Sequence, residues 1–156
     1  MIHIRALYPH EIPLLEDFLY ESIFVHDGDK APDRSILLLD DLQVYVKDFG
    51  TKKDDLAFVA EQDGKVIGAV WVRDMLDYGH IEEGIPSFAI ALYKEVRGQG
   101  IGTQLMKSML AELKKRGYPK ASLSCQKENR ALKLYQDLGF KTVLDKGEEV
   151  IMVIDL

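Results

Sequence analysis

The stretch Arg97-Gly98-Gln99-Gly100-Ile101-Gly102-Thr103 puts three glycines into five positions. It follows the strand-like run SFAIALY (87–93) and precedes the helix-like run QLMKSMLAELKKRG (104–117). Glycine gives up more backbone freedom on folding than any other residue, so three of them at a strand-to-helix junction need a reason. A helix N-terminus offers unpaired N–H groups and a partial positive charge, which together make an anion site. Glycines ahead of it let the chain turn tightly and let a ligand approach without a Cβ in the way. Residues 97–103 are therefore expected to cradle phosphate oxygens, with the Thr103 hydroxyl as an extra donor. The competing reading is a turn that only packs the helix closely onto the sheet.

Around this junction the chain alternates short β-rich runs with helical ones. IHIRAL opens as a strand, and residues 9–24 place Ile12, Leu15, Phe18, Leu19 and Ile23 on one helical face. Residues 27–33 are a loop by their Asp, Gly and Pro content. A second helix is expected where Ile36, Leu39, Leu42, Val46 and Phe49 recur, ending near Gly50. Asp63-Gly64 joins two β-rich runs as a hairpin, and Pro86 suits the first residue of the next strand or an edge. After the glycines, Ile101, Leu105, Met109 and Leu113 mark an amphipathic helix that ends near Gly117. ASLSC is a strand. NRALKLYQDLG is a helix with Ala131, Leu134, Tyr135 and Leu138 inward, Asn129 at its start and Gly139 at its end. FKTVL and EEVIMVIDL close the chain as a hairpin. The mixture of hairpins and helical crossovers is that of an α/β, mixed α+β fold.

Known phosphate loops can be tested residue by residue. The nucleotide P-loop needs a Lys before its Ser/Thr, and Gly102 precedes Thr103. The dinucleotide fingerprint would put a glycine where Thr103 stands. What remains, Arg97-x-x-Gly100-x-Gly102, resembles the [RQ]-x-x-G-x-G motif of the GNAT superfamily of acetyl-CoA-dependent N-acetyltransferases. NRALKLYQDLGF resembles that family's second motif, an Asn and then a Tyr ahead of Leu-Gly-Phe, and Asn129 lies 32 residues after Arg97. The elements before and between fall in family order, so the resemblance covers nearly all of 1–156, expected as a single N-acetyltransferase domain.

The resemblance implies a twisted mixed sheet of about seven strands flanked by four helices, its central strands splaying near Leu92 and Tyr93. It implies acetyl-CoA as cosubstrate, the pantetheine arm in that gap and the pyrophosphate on the amides of Gly98, Gln99, Gly100, Ile101, Gly102 and Thr103, with Arg97 and Asn129 as further contacts. The Leu92 N–H would donate to the thioester carbonyl, and Tyr135 would protonate the leaving thiolate. A phenol of pKa ~10 is protonated at neutral pH and suits that task. On spacing alone, Tyr135 reads equally as core and Asn129 as a plain helix cap. Glu82 and Glu83, just ahead of the 87–93 strand, are the candidate general bases, directly or through water, with His80 as runner-up. An exposed polar loop is the competing reading there.

Composition bounds the rest. The chain has 156 residues, 47% apolar and 29% charged, as in ordinary globular proteins. The net charge of −6 argues against a nucleic-acid binder. No apolar run approaches the ~20 residues of a membrane span, and the N-terminus has no signal-peptide pattern, so the expected location is cytoplasmic. Charge is divided unequally. Residues 94–133 hold ten Lys/Arg against three Asp/Glu, while residues 1–93 hold eight against eighteen. An anionic cofactor at one end and a cationic acceptor at the other would fit that division: acetyl transfer to a primary amine of a small cationic molecule or peptide. A non-catalytic acyl-CoA-binding module on the same fold is the alternative. The lone Cys125 reads as a small buried hydrophobe rather than a nucleophile. Asp27, Asp29 and Asp33 are spaced like a calcium loop, but Pro32 stands where glycine is needed, and no metal is expected. The C-terminal strand, read as exposed, leaves open pairing with a second copy as a homodimer.

Overall fold

The computed structural model describes residues 1–25 and 28–156. The Asp27 reading lies outside the described residues. The strands are β1 (Ile2–Ala6), β2 (Leu56–Gln62), β3 (Lys65–Arg73), β4 (Ser87–Leu92), β5 (Lys120–Gln126), β6 (Lys141–Asp145) and β7 (Glu149–Asp155). The α-helices are α1 (Leu14–Ser22), α2 (Asp40–Gln43), α3 (Ile101–Lys115) and α4 (Ala131–Leu138). The strands form one seven-stranded sheet in the order β1-β2-β3-β4-β5-β7-β6. All pairs are antiparallel except β4 with β5. The β2–β3 turn has both central residues at positive φ, Asp63 at 51° and Gly64 at 78°, the turn whose twist suits a two-residue hairpin.

Period-two alternation on the central strands feeds a core on each face. Val70, Val72 and Phe88 pack with Ile101, Leu105, Met106, Met109 and Leu113 of α3 and with Tyr135 of α4. Ala69, Trp71, Ala89 and Ala91 pack on the other face with Leu15, Phe18 and Leu19 of α1 and with Tyr45, Val46 and Phe49.

Four expectations are corrected. Helix 9–24 is divided, with a single 3-10 turn at Pro9–Glu11 and then α1; Pro13, which has no N–H to donate, stands at the α1 N-cap. The second helix is broken into a 3-10 turn at Arg34–Leu38, an extended Leu39 (ψ 139°), the short α2, and further turns. There the carbonyls of Val44 and Lys47 accept from the buried Arg73 guanidinium at 3.1 and 2.7 Å, and the Tyr45 carbonyl accepts from Trp71 Nε1 at 3.0 Å. Tertiary donors thus replace helical ones. Pro86 lies just outside β4, which is central rather than an edge; its carbonyl accepts from the Ser122 N–H at 3.0 Å. Finally, the last strand, β7, is covered on both sides, and the exposed edge is β6.

Candidate active site

β4 and β5 pair at a single position, Ser87 with Ser122, and then diverge. The wedge between them opens into a groove of about 1780 Å³ that passes through the sheet. Backbone groups of successive strand residues face opposite edges. Tyr93 N–H donates to Ile67 O of β3 at 3.1 Å, whereas Pro86 O serves β5. The even-numbered residues of β4 therefore turn their backbone toward β5, and the Leu92 N–H faces the groove.

The glycine-rich turn stands at one mouth of this groove. Gly98 and Gly100 have φ of 77° and 81°, the left-handed region that other residues adopt at a cost. A Cβ at either would meet nothing within 4 Å, so close packing is not what requires them. They bend the chain so that α3 starts at Ile101. No side chain caps that start, and its first N–H groups keep the positive end of the helix dipole for a ligand. Gly102 has no positive φ; a Cβ there would touch only Leu134 and Leu92, at 3.8 and 3.9 Å, and it lines the groove. Thr103 opens instead on a neighbouring hollow of about 440 Å³ that it shares with Lys107, Arg130 and Lys133. Arg97 donates through Nε to Leu92 O at 3.1 Å and through its terminal nitrogen to Glu21 O at 3.1 Å. It ties the end of β4 to the end of α1.

Residues 19–140 match the model of the Acetyltransferase (GNAT) family. The chain belongs to the GNAT family. It is 31% identical over 107 residues to human N-acetyltransferase 8B, covering 68% of this chain and 47% of that protein. It is 34% identical over 87 residues to N-alpha-acetyltransferase 30 of Schizosaccharomyces pombe, covering 55% of this chain and 57% of that one. The chain thus spans about half the length of these curated relatives. Its fold is that of the PaiA N-acetyltransferase from Thermoplasma acidophilum, solved in complex with coenzyme A, with a TM-score of 0.70, 19% identity, and coverage of 100% of this chain and 99% of that one.

In this GNAT chain the groove brings together Leu92, Arg97, Gly102, Asn129 and Tyr135. Asn129 spends its side-chain carbonyl on the Ala131 N–H at 2.9 Å, which starts α4. Tyr135 is 8% exposed and packs edge-on against Phe140; burial, and secondarily Cys125, pushes its phenol up and keeps it protonated. Cys125 is buried, and desolvation pushes its thiol up to about 11, opposite to what a nucleophile needs. The Tyr93 ring turns to the other face and packs against Phe18 at 4.8 Å between centroids. Glu82 and Glu83 are exposed in the turn before β4, outside the groove lining.

The far mouth of the groove is made of segments no sequence motif announces. Leu19–Val25, Ile36, Leu39, Leu42, Tyr45 and Tyr78 form one wall. Glu128, Lys146, Glu148 and Glu149 form another. Gln126, at the end of β5, lines it too and holds a buried Oε1 without a hydrogen-bond partner. The only sequence signal for this end was the acidic balance of residues 1–93. Among the described residues, no helix is long and apolar enough to cross a membrane and no cluster of ligating side chains could hold a metal.

Proposed function

We propose that residues 1–156 form one N-acetyltransferase domain that moves an acetyl group from acetyl-CoA to a primary amine of a small cationic molecule or peptide. The observation that carries this is the Leu92 N–H facing a groove that leads to the uncapped start of α3. The residues fit the cosubstrate. The first-turn amides of α3 would hold its pyrophosphate, with the 98–100 turn free of side chains that would obstruct it. Bound acetyl-CoA supplies the activated acetyl thioester. Leu92 N–H donates to the thioester carbonyl oxygen as negative charge develops there. Tyr135, kept neutral by its surroundings, gives its proton to the departing sulfur.

The acceptor enters from the other mouth. Asp29, Glu128, Glu148 and Glu149 line that side against Lys146, and this excess of carboxylates favours a cation. Calorimetry with coenzyme A, followed by thiol release with a panel of amines and free-N-terminal peptides, tests the proposal. We expect micromolar-class binding and turnover that favours cationic amines. Preferential turnover of an acidic amino acid would sink the acceptor class. Tight coenzyme A binding without any turnover would leave a non-catalytic binding module.

A further inference from the structure

We propose that the Arg97 side chain serves the acceptor rather than the cofactor: it is a positioning residue that straps the α1 wall of the acceptor mouth to the end of β4. The inference rests on the acetyl-transfer reading above, and it parts Arg97 from the cofactor contacts that its motif implies. The guanidinium is engaged on both sides. Nε donates to Leu92 O at 3.1 Å. A terminal nitrogen donates to Glu21 O at 3.1 Å and lies 3.4 Å from the Glu21 carboxylate. Arg97 and residues 19–25 line the same groove.

Each bond answers a need of the backbone. The last carbonyls of an α-helix have no N–H from a following turn. In α1, Leu19 O accepts from Ser22 Oγ at 2.6 Å and Tyr20 O from the Ile23 N–H at 3.2 Å. The chain is extended at Ile23, with ψ of 118°. The helical ladder stops there, and Glu21 O takes its donor from Arg97, 76 residues on. A cation at a helix C-terminus also suits the negative end of the dipole. At the other end of the strap, Leu92 O leaves β4 on the same edge as the Leu92 N–H, toward the groove. A bare carbonyl there would set negative charge beside the oxygen that becomes negative in the reaction; a guanidinium proton offsets it.

The strap belongs to the acceptor side. Phe18 of α1 packs on the Tyr93 ring at 4.8 Å between centroids, yet Phe18 does not line the groove, whereas the segment from Leu19 to Val25 does. Arg97 ties that lining segment to β4. The chain beyond it is fastened by the Tyr20 hydroxyl, which donates to Pro32 O at 2.6 Å. On the cofactor side, main-chain N–H groups at the start of α3 would meet the pyrophosphate. Turning the guanidinium onto a phosphate would release Glu21 O and Leu92 O together. The side chains of Arg97 and Glu21 are 45% and 24% exposed, so their pairing contributes little to global stability. Its effect is on where the wall stands.

Arg97→Ala and Arg97→Lys are compared with wild type by calorimetry with coenzyme A, by KM for acetyl-CoA and for the best amine of the panel, and by deuterium exchange at the Ile23 amide. Arg97→Ala should raise the amine KM about tenfold while coenzyme A affinity and the KM for acetyl-CoA stay within about twofold. Exchange at Ile23 should speed up as the last turn of α1 frays, with the thermal midpoint nearly unchanged. Arg97→Lys keeps a charge that a phosphate would accept but lacks the planar fork, so it should recover only part of the amine KM. A fall in coenzyme A affinity that matches or exceeds the loss for the amine would overturn the proposal. An amine KM and an Ile23 exchange rate that both stay at wild-type values would overturn it too. A wild type that binds coenzyme A but acetylates nothing on the panel overturns the acetyl-transfer reading instead. The Ile23 exchange and coenzyme A affinity of the variants then still decide whether Arg97 ties the wall or holds the cofactor.

Discussion

The two mouths of the groove are made of different material. At one, a contiguous run from Arg97 to Thr103 presents main-chain N–H groups, and its conformation is dictated by two glycines at positive φ. At the other, side chains from separate parts of the chain (19–25, 36–45, Tyr78 and 146–149) converge on the space where an acceptor would lie. A site made from backbone depends on few residue identities. A site made from loop side chains can be rebuilt without disturbing the sheet, which is where variation in acceptor belongs.

The contrast is broken hardest at the point where the two mouths meet. Tyr135→Phe removes one hydroxyl and keeps the ring against Phe140. If the phenol protonates the sulfur, kcat should fall about 10²-fold, with KM for acetyl-CoA unchanged and a stability change of at most about 1 kcal/mol. Steady-state kinetics and a melt on one preparation decide it; a lower melt with kcat intact would return Tyr135 to the core.

Gly102→Val probes the backbone mouth alone. Its φ tolerates a side chain, and the nearest neighbours leave room for a Cβ. A branched side chain there would project between Leu134 and Leu92, into the groove. Coenzyme A affinity should fall about tenfold with folding cooperativity retained. Unchanged affinity by calorimetry would mean that ligand does not approach Gly102.

The smallest effect is expected at Cys125→Ala. With its thiol pushed up to about 11, Cys125 has little thiolate at neutral pH. Turnover should hold while stability drops by about 1 kcal/mol. Loss of turnover, or an acetylated Cys125 by mass spectrometry, would establish a covalent route and remove the need for a direct attack by the amine.

The same division decided what could be read from the sequence. The Asp63-Gly64 turn, the α3 periodicity and the glycines before α3 are local signals, and each appears where expected. The α2 region failed because its helical spacing is genuine but the Arg73 guanidinium, paired with Asp55 at 2.9 Å, captures carbonyls that a helix would have used. Arg73 is 26 residues past Lys47, and no window over 36–50 contains that information. Glu82 and Glu83 are conspicuous as a pair in the sequence but turned to solvent.

The single rung between β4 and β5 has a mechanical consequence. Four strands on one side and three on the other are continuous through their own ladders, yet they are stitched together at Ser87 and Ser122 only. The sheet is two panels on a short seam, and the inner amides of Ile90 and Leu92 sit on a central strand without a neighbouring strand to shield them. A molecule lying in that gap with hydrogen bonds to those amides would act as the missing lath. Proton–deuterium exchange along the seam should slow on loading far more than in the β2–β3 ladder, whose bonds are already complete.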